Sequence, residues 1–419
     1  MELTFLDIIL FSTYFILLFL SIFWLLVLFA PEEAKKTRLQ RQPFFSAIVP
    51  AYNEEKSIQG TLQSLVNLDY PVEKMEIIVV NDGSTDKTKE IVERFMQEHP
   101  SRKIILLNQE NKGKASAMNK GLAMAKGEFF ACLDADSSVS SNALQVMLPL
   151  FDKEEVAAAC PMIKVKKPKS VLEKVQWYEY IINMFHRFLN AKLNCLHVTP
   201  GPFSVYRTEV IRKIGGFDEK TITEDLEIAV RLQKYNYQIL HTFDTVVETI
   251  APLSWKALFR QRVRWYKGAT DNTLLYKELI FNQKYGDFGV MRMPTIVLSG
   301  ALAIILAGTL LHSLSKAVIG KLMYYRNINF DFLTLILNYR PEINLLTLPF
   351  AKLFIATTLL GISFFIMIYS HKIIKEKITN YGKTFFSLVT YLLVYGFFIT
   401  AVWIYIAFMF ISRKKNFWS

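Results

Sequence analysis

Two carboxylates, Asp134 and Asp136, stand one residue apart at the end of a short apolar run, Phe129 to Leu133. An apolar run of this length, bounded by glycine and polar residues, predicts a buried central strand. In open α/β sheets, ligands bind at the carboxyl ends of such strands. Two carboxylates this close repel each other unless a cation lies between them, and a hard divalent metal that carries a diphosphate is the usual one. The simpler alternative is a turn in which Asp136 caps the next helix.

Other polar side chains also follow predicted strands, namely Tyr52, Glu54, Asp82 and Lys114. Each has an ordinary explanation when it is taken alone, as a loop acid, a turn former or a surface base. The carboxyl ends of parallel strands meet at one edge of a sheet, so we expect these groups to converge on one crevice. Together they predict a nucleotide-diphosphate site, with a carboxylate for the base or ribose, a lysine for the phosphates and acids for the metal.

A third acidic group, Thr223-Glu224-Asp225, opens a predicted helix from Leu226 to Lys234. One interpretation is a good helix N-terminus, in which Thr223 is the cap and the helix dipole favours the acids. The other is catalytic, because a carboxylate in this position can act as a general base toward a sugar hydroxyl.

The segment from Gln261 to Trp265 belongs to a predicted helix in which Arg260, Arg262 and Arg264 are spread around the axis. A helix that only lies on a membrane surface collects its charges on the headgroup side. The spread therefore predicts that some of these groups point into the domain. Arg264 could hold a phosphate with two hydrogen bonds, and Trp265 could stack on a sugar.

Strands must alternate with helices to position these groups, and the sequence shows this alternation from about Pro43 onward. Such spacing implies right-handed βαβ units and a mostly parallel sheet. The predicted strands are Ser46 to Val49, Glu76 to Val80, Lys103 to Leu107 and Phe129 to Leu133, and the predicted helices between them are Ser57 to Asn67, Ile91 to Gln97 and Ser116 to Ala125.

Composition indicates a membrane protein, since 52% of the 419 residues are hydrophobic and the formal net charge is +12. The positive charge suits anionic lipid headgroups and phosphorylated substrates better than nucleic acid, because no basic stripe interleaved with aromatics is present. Four segments are long enough to span a bilayer: Leu3 to Phe29, Val290 to Leu311, Leu345 to Tyr369 and Thr384 to Ile411.

The bases that follow the first span place the catalytic region in the cytoplasm by the positive-inside rule. Four spans would then put Arg413, Lys414 and Lys415 outside, against that rule. Either the last segment does not fully cross, or the region from Phe330 to Tyr369 holds an additional re-entrant piece. The three cysteines and six scattered histidines fit neither a zinc site nor a disulfide framework.

Four motifs now stand in order: Asn81-Asp82-Gly83-Ser84, Asp134-Ala135-Asp136, Thr223-Glu224-Asp225 and Gln261-Arg262-Val263-Arg264-Trp265. Over roughly Phe44 to Gly268 the chain resembles the membrane-integrated family 2 glycosyltransferases of the processive type, which include cellulose, chitin and hyaluronan synthases. The sequence around the motifs is most similar to that of poly-β-1,6-N-acetylglucosamine synthases. One departure is Pro200-Gly201-Pro202-Phe203, where relatives usually have a run of small residues before the acceptor loop.

The resemblance implies an α/β GT-A domain with a Rossmann-like, mixed but mostly parallel sheet, inserted between transmembrane helices. It implies that Asp225, with Glu224, is the catalytic base and that Asp136, with Asp134, binds Mg²⁺ or Mn²⁺. The residues it implies for substrate binding are Tyr52, Glu54 and Asp82 at the uridine, Lys114 and Asp134 at the diphosphate, and Gln261, Arg264 and Trp265 over the diphosphate and acceptor.

The expected domains are an N-terminal transmembrane helix (1–30), a cytoplasmic GT-A domain (31–250), interfacial helices (251–288) and a C-terminal region of about three spans (289–419). The expected protein is a multi-pass cell-membrane enzyme that transfers the sugar of a UDP-sugar, UDP-N-acetylglucosamine, with inversion at the anomeric carbon. Its expected product is a β-linked polysaccharide. Export of the polymer and accessory secretion subunits are left open. The nearest alternative adds one sugar to a polyprenyl phosphate or another lipid acceptor. A membrane scaffold or transporter is disfavoured, because the acidic motifs are intact and no charge lies deep in the last span.

Overall fold

The computed structural model describes residues 5–31, 41–331, 350–382 and 384–412. Its strands are β1 (Phe45–Ala51), β2 (Met75–Asp82), β3 (Lys103–Gln109), β4 (Phe129–Cys132), β5 (Ser138–Val139), β6 (Val156–Val165), β7 (Ser204–Arg207) and β8 (Gln238–Thr249). An apolar helix α1 (Phe5–Phe29) precedes the sheet region, whose helices are α2 (Ile58–Val66), α3 (Thr88–Glu98), α4 (Lys114–Met124), α5 (Ala143–Met147), α6 (Val171–Lys192), α7 (Thr208–Lys213), α8 (Glu224–Lys234) and α9 (Trp255–Leu275).

Further helices follow α9 toward the C-terminus: α10 (Met293–Asn327), α11 (Phe350–Ile373), α12 (Phe385–Thr390) and α13 (Gly396–Ser412). One π-helical turn, Phe288–Arg292, leads into α10, and a second, Tyr391–Tyr395, joins α12 to α13. Short 3₁₀ turns occupy Val72–Lys74, Leu148–Asp152, Lys277–Leu279 and Gln283–Tyr285.

The eight strands form one sheet in the order β3-β2-β1-β4-β7-β6-β8-β5. The pairs β1–β2, β1–β4, β2–β3 and β6–β8 are parallel, whereas β7 is antiparallel to β4 and β6, and β5 is antiparallel to β8. Because β4 lies on the opposite side of β1 from β2, the strand order reverses there, and a crevice opens at such a reversal. The start of the antiparallel β7 faces the end of β4, since Ser204 pairs with Cys132.

Both faces of the sheet are covered, which explains why the first strands are continuous apolar runs. On one face, α2 and α3 pack through Leu62 and Phe95 against Val79 and its neighbours. On the other face, α4 and α8 pack through Met118 and Ile228. The sheet is therefore held rigidly, and side chains at its strand ends are fixed in relation to one another.

The four predicted strands are confirmed, with small changes at their ends. Helix α4 begins at Lys114, two residues earlier than the sequence predicted, because Gly113 adopts a left-handed φ of 91° immediately before it. This conformation costs a glycine nothing, whereas residues with a Cβ rarely adopt it. The early start matters because it places Lys114 in the first turn of α4.

Among the described residues, four helices are long and apolar enough to cross a membrane: Asp7–Phe29, Phe288–Asn327, Leu353–Ile373 and Phe385–Ser412. They coincide broadly with the four segments predicted from the sequence. Part of the region from Phe330 to Tyr369 where a re-entrant piece was considered, the first residues of the span predicted from Leu345, and the basic residues Arg413 to Lys415 lie outside the described residues.

The chain divides into two compact units, one formed by residues 1–30 and 298–369 and the other by residues 31–297 and 370–419. The first unit holds α1, most of α10 and nearly all of α11. The second holds the sheet and α2 to α9, and within it α13 packs against α9 through Val402 and Ile406 on Val263. The helix that carries Gln261 to Trp265 is thus fixed between the sheet domain and an apolar helix.

Candidate functional site

The loop between β3 and α4 is organised by Asp82, the last residue of β2. One carboxylate oxygen of Asp82 accepts hydrogen bonds from the side chain of Gln109 at 2.7 Å and from the backbone N–H of Lys112 at 3.0 Å. The other oxygen accepts the backbone N–H of Gly113 at 2.9 Å. Asp82 is 4% exposed, so it shapes the loop that presents Lys114 in addition to its predicted role at the uridine.

Lys114 lies between two acids that are distant in sequence. Its Nζ is 2.6 Å from Asp134 Oδ1 and 3.1 Å from Glu224 Oε1. Burial alone would lower the pKa of Lys114, but the charges of Asp134, Glu224 and Asp225 outweigh burial and raise it. The lysine is therefore permanently charged and joins the end of β4 to the start of α8.

Asp136 and Glu54 form a more negative side of the crevice. Burial and the neighbouring charge of Asp134 raise the pKa of Asp136, and Ser137 donates a hydrogen bond to it at 3.0 Å. Burial also raises the pKa of Glu54, with smaller contributions from Asp136 and Asp134, while its hydrogen bond from Ser57 opposes them. Carboxylates that resist ionisation in this way favour a cation beside them.

Helix α8 presents Glu224 and Asp225 in its first turn. Burial favours a high pKa for Glu224, but Lys114 and Arg264 overcome this effect and lower the pKa below its ordinary value. The pKa of Asp225 is raised to about 6 by burial and by the charge of Glu224, which Lys114 and Arg264 only partly offset. Adjacent acids with pKa values moved in opposite directions have different chemical roles. Glu224 is the partner of Lys114, and Asp225 is suited to accept a proton.

Thr223, which the sequence suggested as the helix cap, makes no capping hydrogen bond through its side chain. Its hydroxyl instead accepts a hydrogen bond from Asn272 on α9 at 3.1 Å. Gly268 on the same helix lies so close to Thr223 that any Cβ would collide with it. The start of α8 is therefore positioned by close packing against α9: Thr223 is the N-cap residue, as one interpretation of the sequence had it, but its side chain does not cap the helix.

The segment Pro200-Gly201-Pro202-Phe203 lies against the Lys114–Asp134 pair. A Cβ on Gly201 would come within 2.8 Å of Lys114 Nζ and 3.1 Å of Asp134 Oδ2. The preceding residue Thr199 donates both its backbone N–H and its hydroxyl to the carbonyl of Asp225, at 3.1 and 2.9 Å. This segment thus forms a stiff backing that links the Lys114–Asp134 pair to Asp225.

Phe203 ends this segment in an unusual backbone conformation, with a φ of 57°. A left-handed φ costs a residue with a side chain on the order of 1 kcal/mol or more, and the surroundings must hold it in place. Phe203 is fully buried, its ring lies 6.1 Å from that of Phe45, and its N–H donates to the carbonyl of Cys132 at 2.6 Å. The core of the sheet therefore anchors the loop.

Of the three arginines on α9, Arg262 points into the domain. Its side chain is 0% exposed and forms a two-pronged ion pair with Glu179 of α6, in which Nε lies 2.9 Å from Glu179 Oε1. Arg262 also donates to Gln261, and its guanidinium lies 4.1 Å from the centre of the Trp265 ring. Gln261 and Trp265 are thus positioned through Arg262, whereas Arg260 is exposed.

Arg264 is half-buried on the same helix, and its charge acts on both Glu224 and Asp225. The structure therefore brings Lys114, Asp134, Glu224, Asp225 and Arg264 together. Tyr52 is 47% exposed at the end of β1, where a ligand can reach it. Sequence reasoning missed Glu179, because it does not stand in a motif of its own.

The segment 46–215 matches the family described as glycosyl transferase family 2. A poly-beta-1,6-N-acetyl-D-glucosamine synthase of Staphylococcus epidermidis is 31% identical over 264 residues, which are 60% of this chain and 63% of the relative. A beta-monoglucosyldiacylglycerol synthase of Nostoc is 31% identical over 263 residues, which are 62% of this chain and 56% of that protein. The chain spans less than two thirds of the length of these curated relatives.

A solved structure, the mannosyltransferase PcManGT from Pyrobaculum calidifontis in complex with GDP-Man and Mn²⁺, aligns with a TM-score of 0.56 and 21% identity. The alignment covers 76% of this chain and 90% of that one. At this identity the likeness concerns the fold, and it confirms the expected GT-A architecture. The match over residues 46–215 agrees with the family that the four motifs predicted.

Proposed function

We propose that the chain is a membrane-bound, inverting glycosyltransferase that uses a UDP-sugar, UDP-N-acetylglucosamine, to build a β-linked glycan. The observation that carries the proposal is Asp225, a partly exposed carboxyl group whose pKa is raised to about 6 by burial and by Glu224. A general base is most effective when its pKa lies near the working pH. Asp225 meets that condition and lies beside Lys114 and Arg264, which suit a departing diphosphate.

The proposed reaction is a single displacement at the anomeric carbon of the donor. The bond from the acceptor oxygen to that carbon forms while the bond from the carbon to the diphosphate oxygen breaks. The acceptor's hydroxyl proton passes to Asp225, and the electron pair of the broken bond leaves on UDP. Lys114 and Arg264 supply fixed positive charge where negative charge builds up, which is the most effective kind of transition-state stabilisation.

The carboxylate groups at the end of β4 also fit a divalent metal. Asp134 and Asp136 offer carboxylate oxygens, and the raised pKa of Asp136, caused by burial and by Asp134, indicates a place where positive charge is favoured. Within the described residues, no group of three or more His, Cys, Asp and Glu could form a complete protein cage. Mg²⁺ commonly takes one or two carboxylates and completes its shell with phosphates and water. Mg²⁺ or Mn²⁺ at Asp136 would neutralise charge on the leaving UDP.

Tyr52, Glu54 and Asp82 are proposed to bind the uridine, with Gln261 and Trp265 on the acceptor side. The choice of N-acetylglucosamine rests on the printed function of the Staphylococcus epidermidis relative. The four apolar helices support a multi-pass membrane protein, and we propose a cytoplasmic catalytic domain. The boundaries 1–30, 31–250, 251–288 and 289–419 are retained as proposed domains.

A second candidate is transfer of one sugar to a lipid. Two observations favour it: a glycolipid synthase matches this chain at 31% identity, as the polysaccharide synthase does, and the stiff segment Pro200 to Phe203 replaces a small-residue acceptor loop. Product size separates the two candidates, because a polymerase makes a ladder of glycans and the alternative makes one organic-extractable lipid.

The decisive experiment incubates the purified full chain in lipid with a panel of radiolabelled nucleotide sugars and Mg²⁺ or Mn²⁺. We expect label from UDP-N-acetylglucosamine to enter a glycan, and removal of the metal with EDTA to stop incorporation. The proposal fails if no nucleotide sugar is consumed and calorimetry detects no UDP binding. That result would favour a membrane scaffold or transporter.

The value of kcat/KM should fall at low pH, because Asp225 becomes protonated there. The ionised form is the active base, and burial together with Glu224 raises its pKa to about 6. Activity is therefore expected to fall about tenfold per unit below pH 6 and to level off above about pH 7. A profile that is flat from pH 5 to pH 8 would exclude Asp225 as the base.

A further inference from the structure

The fourth apolar segment, Phe385–Ser412, consists of α12, the second π turn and α13, and it is long enough to cross a bilayer. A helix that crosses a membrane has one end on each side, so only one of its ends can contact a domain that lies on one side. This segment belongs to the same compact unit as the sheet. The contacts of its two ends therefore show whether it crosses.

The beginning of the fourth apolar segment is held on the sheet domain. The loop before it places the buried Glu376 between two partners. Lys164 Nζ on β6 lies 2.9 Å from Glu376 Oε1, and Trp177 on α6 donates its indole N–H to Glu376 Oε2 at 2.6 Å. Within the segment, the ring of Tyr391 lies 5.9 Å from that of Tyr178 on α6. The chain thus leaves α11 on the side of the sheet domain.

The end of the same segment is held on the sheet domain as well, through α9. The rings of Phe398 and Trp255 are 5.3 Å apart, and Lys267 Nζ lies 5.1 Å from the centre of the Phe410 ring. Val263 packs against α13 between these two contacts. The contacts lie about a dozen residues apart on each helix, so α9 and α13 run side by side in the same direction for about 18 Å.

Helix α9 cannot itself lie in the hydrocarbon core of a bilayer. It carries five basic residues and one acid, and Arg260 is exposed. Its far end is fixed at the candidate site, where Asn272 donates to Thr223 at 3.1 Å. Charged side chains are costly at the centre of a bilayer, so α9 belongs at the level of the headgroups. Because α13 follows α9 as far as Lys267, the end of α13 lies at that level too.

The composition of α13 agrees with this position. One stripe, which includes Val402 and Ile406, is buried against Val263, whereas Ile404 and Ile411 on other sides of the helix are exposed. A helix placed between an apolar partner and acyl chains is apolar all round, because neither neighbour favours a polar face. Helix α9 supplies the charged layer that a single interfacial helix would carry on its own polar side.

We propose that the fourth apolar segment lies in the leaflet beside α9 and does not cross the membrane, so that its exposed face binds the acyl chains of that leaflet. By the orientation proposed above, this is the cytoplasmic leaflet. The crossings that follow the sheet domain are then α10 and α11, instead of about three. The inference concerns the position in the membrane and does not depend on which sugar is transferred.

The proposal also removes the conflict with the positive-inside rule. Four crossings would put Arg413, Lys414 and Lys415 on the far side of the membrane from the sheet domain. If the segment before them does not cross, these basic residues stay on the side of the sheet domain, as the rule requires.

The first test labels single cysteines with a membrane-impermeant maleimide, in intact cells and in inverted vesicles. The variants of the full chain are Ser412→Cys, Lys89→Cys on α3 and Asn327→Cys at the end of α10, all at exposed positions. The wild type, whose three cysteines are buried, gives the background. We expect Ser412→Cys to react at least tenfold more in the preparation that labels Lys89→Cys. Reaction together with Asn327→Cys instead would overturn the proposal.

The second test measures depth in the bilayer. A bimane fluorophore is attached to Leu393→Cys, Ile404→Cys or Ile411→Cys, which are exposed positions along the segment. The chains are reconstituted with phospholipids that carry bromine either near the headgroup or near the end of the acyl chain. For a segment that lies in the leaflet, the ratio of shallow to deep quenching should agree within about twofold at all three positions.

A crossing helix gives a different pattern, because its middle lies deepest. Deep quenching that is at least threefold stronger at Ile404→Cys than at the other two positions would therefore contradict the proposal. Melting temperatures within a few degrees of the wild type show that each labelled variant is folded, and the substituted side chains face away from α9, so little change is expected.

Discussion

Asp225→Asn is expected to reduce kcat by about 10²- to 10⁴-fold, the range that general-base catalysis contributes. Asparagine has the same shape as aspartate and keeps an oxygen for the Leu226 N–H, which Asp225 Oδ1 accepts at 2.9 Å. It cannot accept the acceptor's proton. The donor contacts of Lys114, Asp134 and Glu224 remain, so the affinity for UDP should change by less than about threefold.

The measurement combines single-turnover transfer from a labelled nucleotide sugar with calorimetric binding of UDP. A useful control is Asp152→Asn, which removes an exposed acid at the end of a 3₁₀ turn and should behave as the wild type does. Full transferase activity in Asp225→Asn would contradict the proposed mechanism. Loss of UDP binding together with activity would instead assign Asp225 to the donor site.

The parallel half of the sheet could be predicted from the sequence because its strands are buried on both faces and read as continuous apolar runs. The strand β6 was not predicted, although it is ten residues long. Its sequence is rich in alanine and contains Pro161, which are features of weak strand propensity. Its pairing with the antiparallel β7 and the distant β8 forms the strand through tertiary contacts.

The strand-end rule also predicted that Lys114, Asp134 and Asp136 lie close together, since each follows a strand of the sheet. The surroundings of Asp225 were harder to predict, because Lys114, Glu224 and Arg264 come from three separate helices. The sequence could indicate that some of Arg260, Arg262 and Arg264 turn inward, but not that Arg262 is the buried one or that Glu179 is its partner.

Arg262→Met is expected to lower the free energy of unfolding by about 3–5 kcal/mol, the usual cost of breaking a buried ion pair. The loss arises because Glu179, which is 6% exposed, would keep a buried charge without its partner. The variant should also disturb the donor and acceptor sites, since Gln261 and Trp265 both contact the Arg262 guanidinium. Thermal unfolding of the detergent-solubilised chain measures the stability, and KM for the nucleotide sugar measures the second effect.

The double variant Glu179→Leu with Arg262→Met shows whether the lost stability comes from the unpaired charge of Glu179 or from the lost packing of Arg262. Replacing a whole buried pair by apolar residues of similar volume is often neutral or stabilising by about 1–4 kcal/mol. The double variant should therefore regain most of the stability that Arg262→Met loses, while Trp265 still lacks the cation over its ring and KM stays high. The exposed neighbour provides the control, since Arg260→Gln should change stability by less than about 0.5 kcal/mol. If the double variant is as unstable as the single one, packing of Arg262 against Trp265 and Tyr395 stabilises this helix, and the charge of Glu179 does not explain the loss.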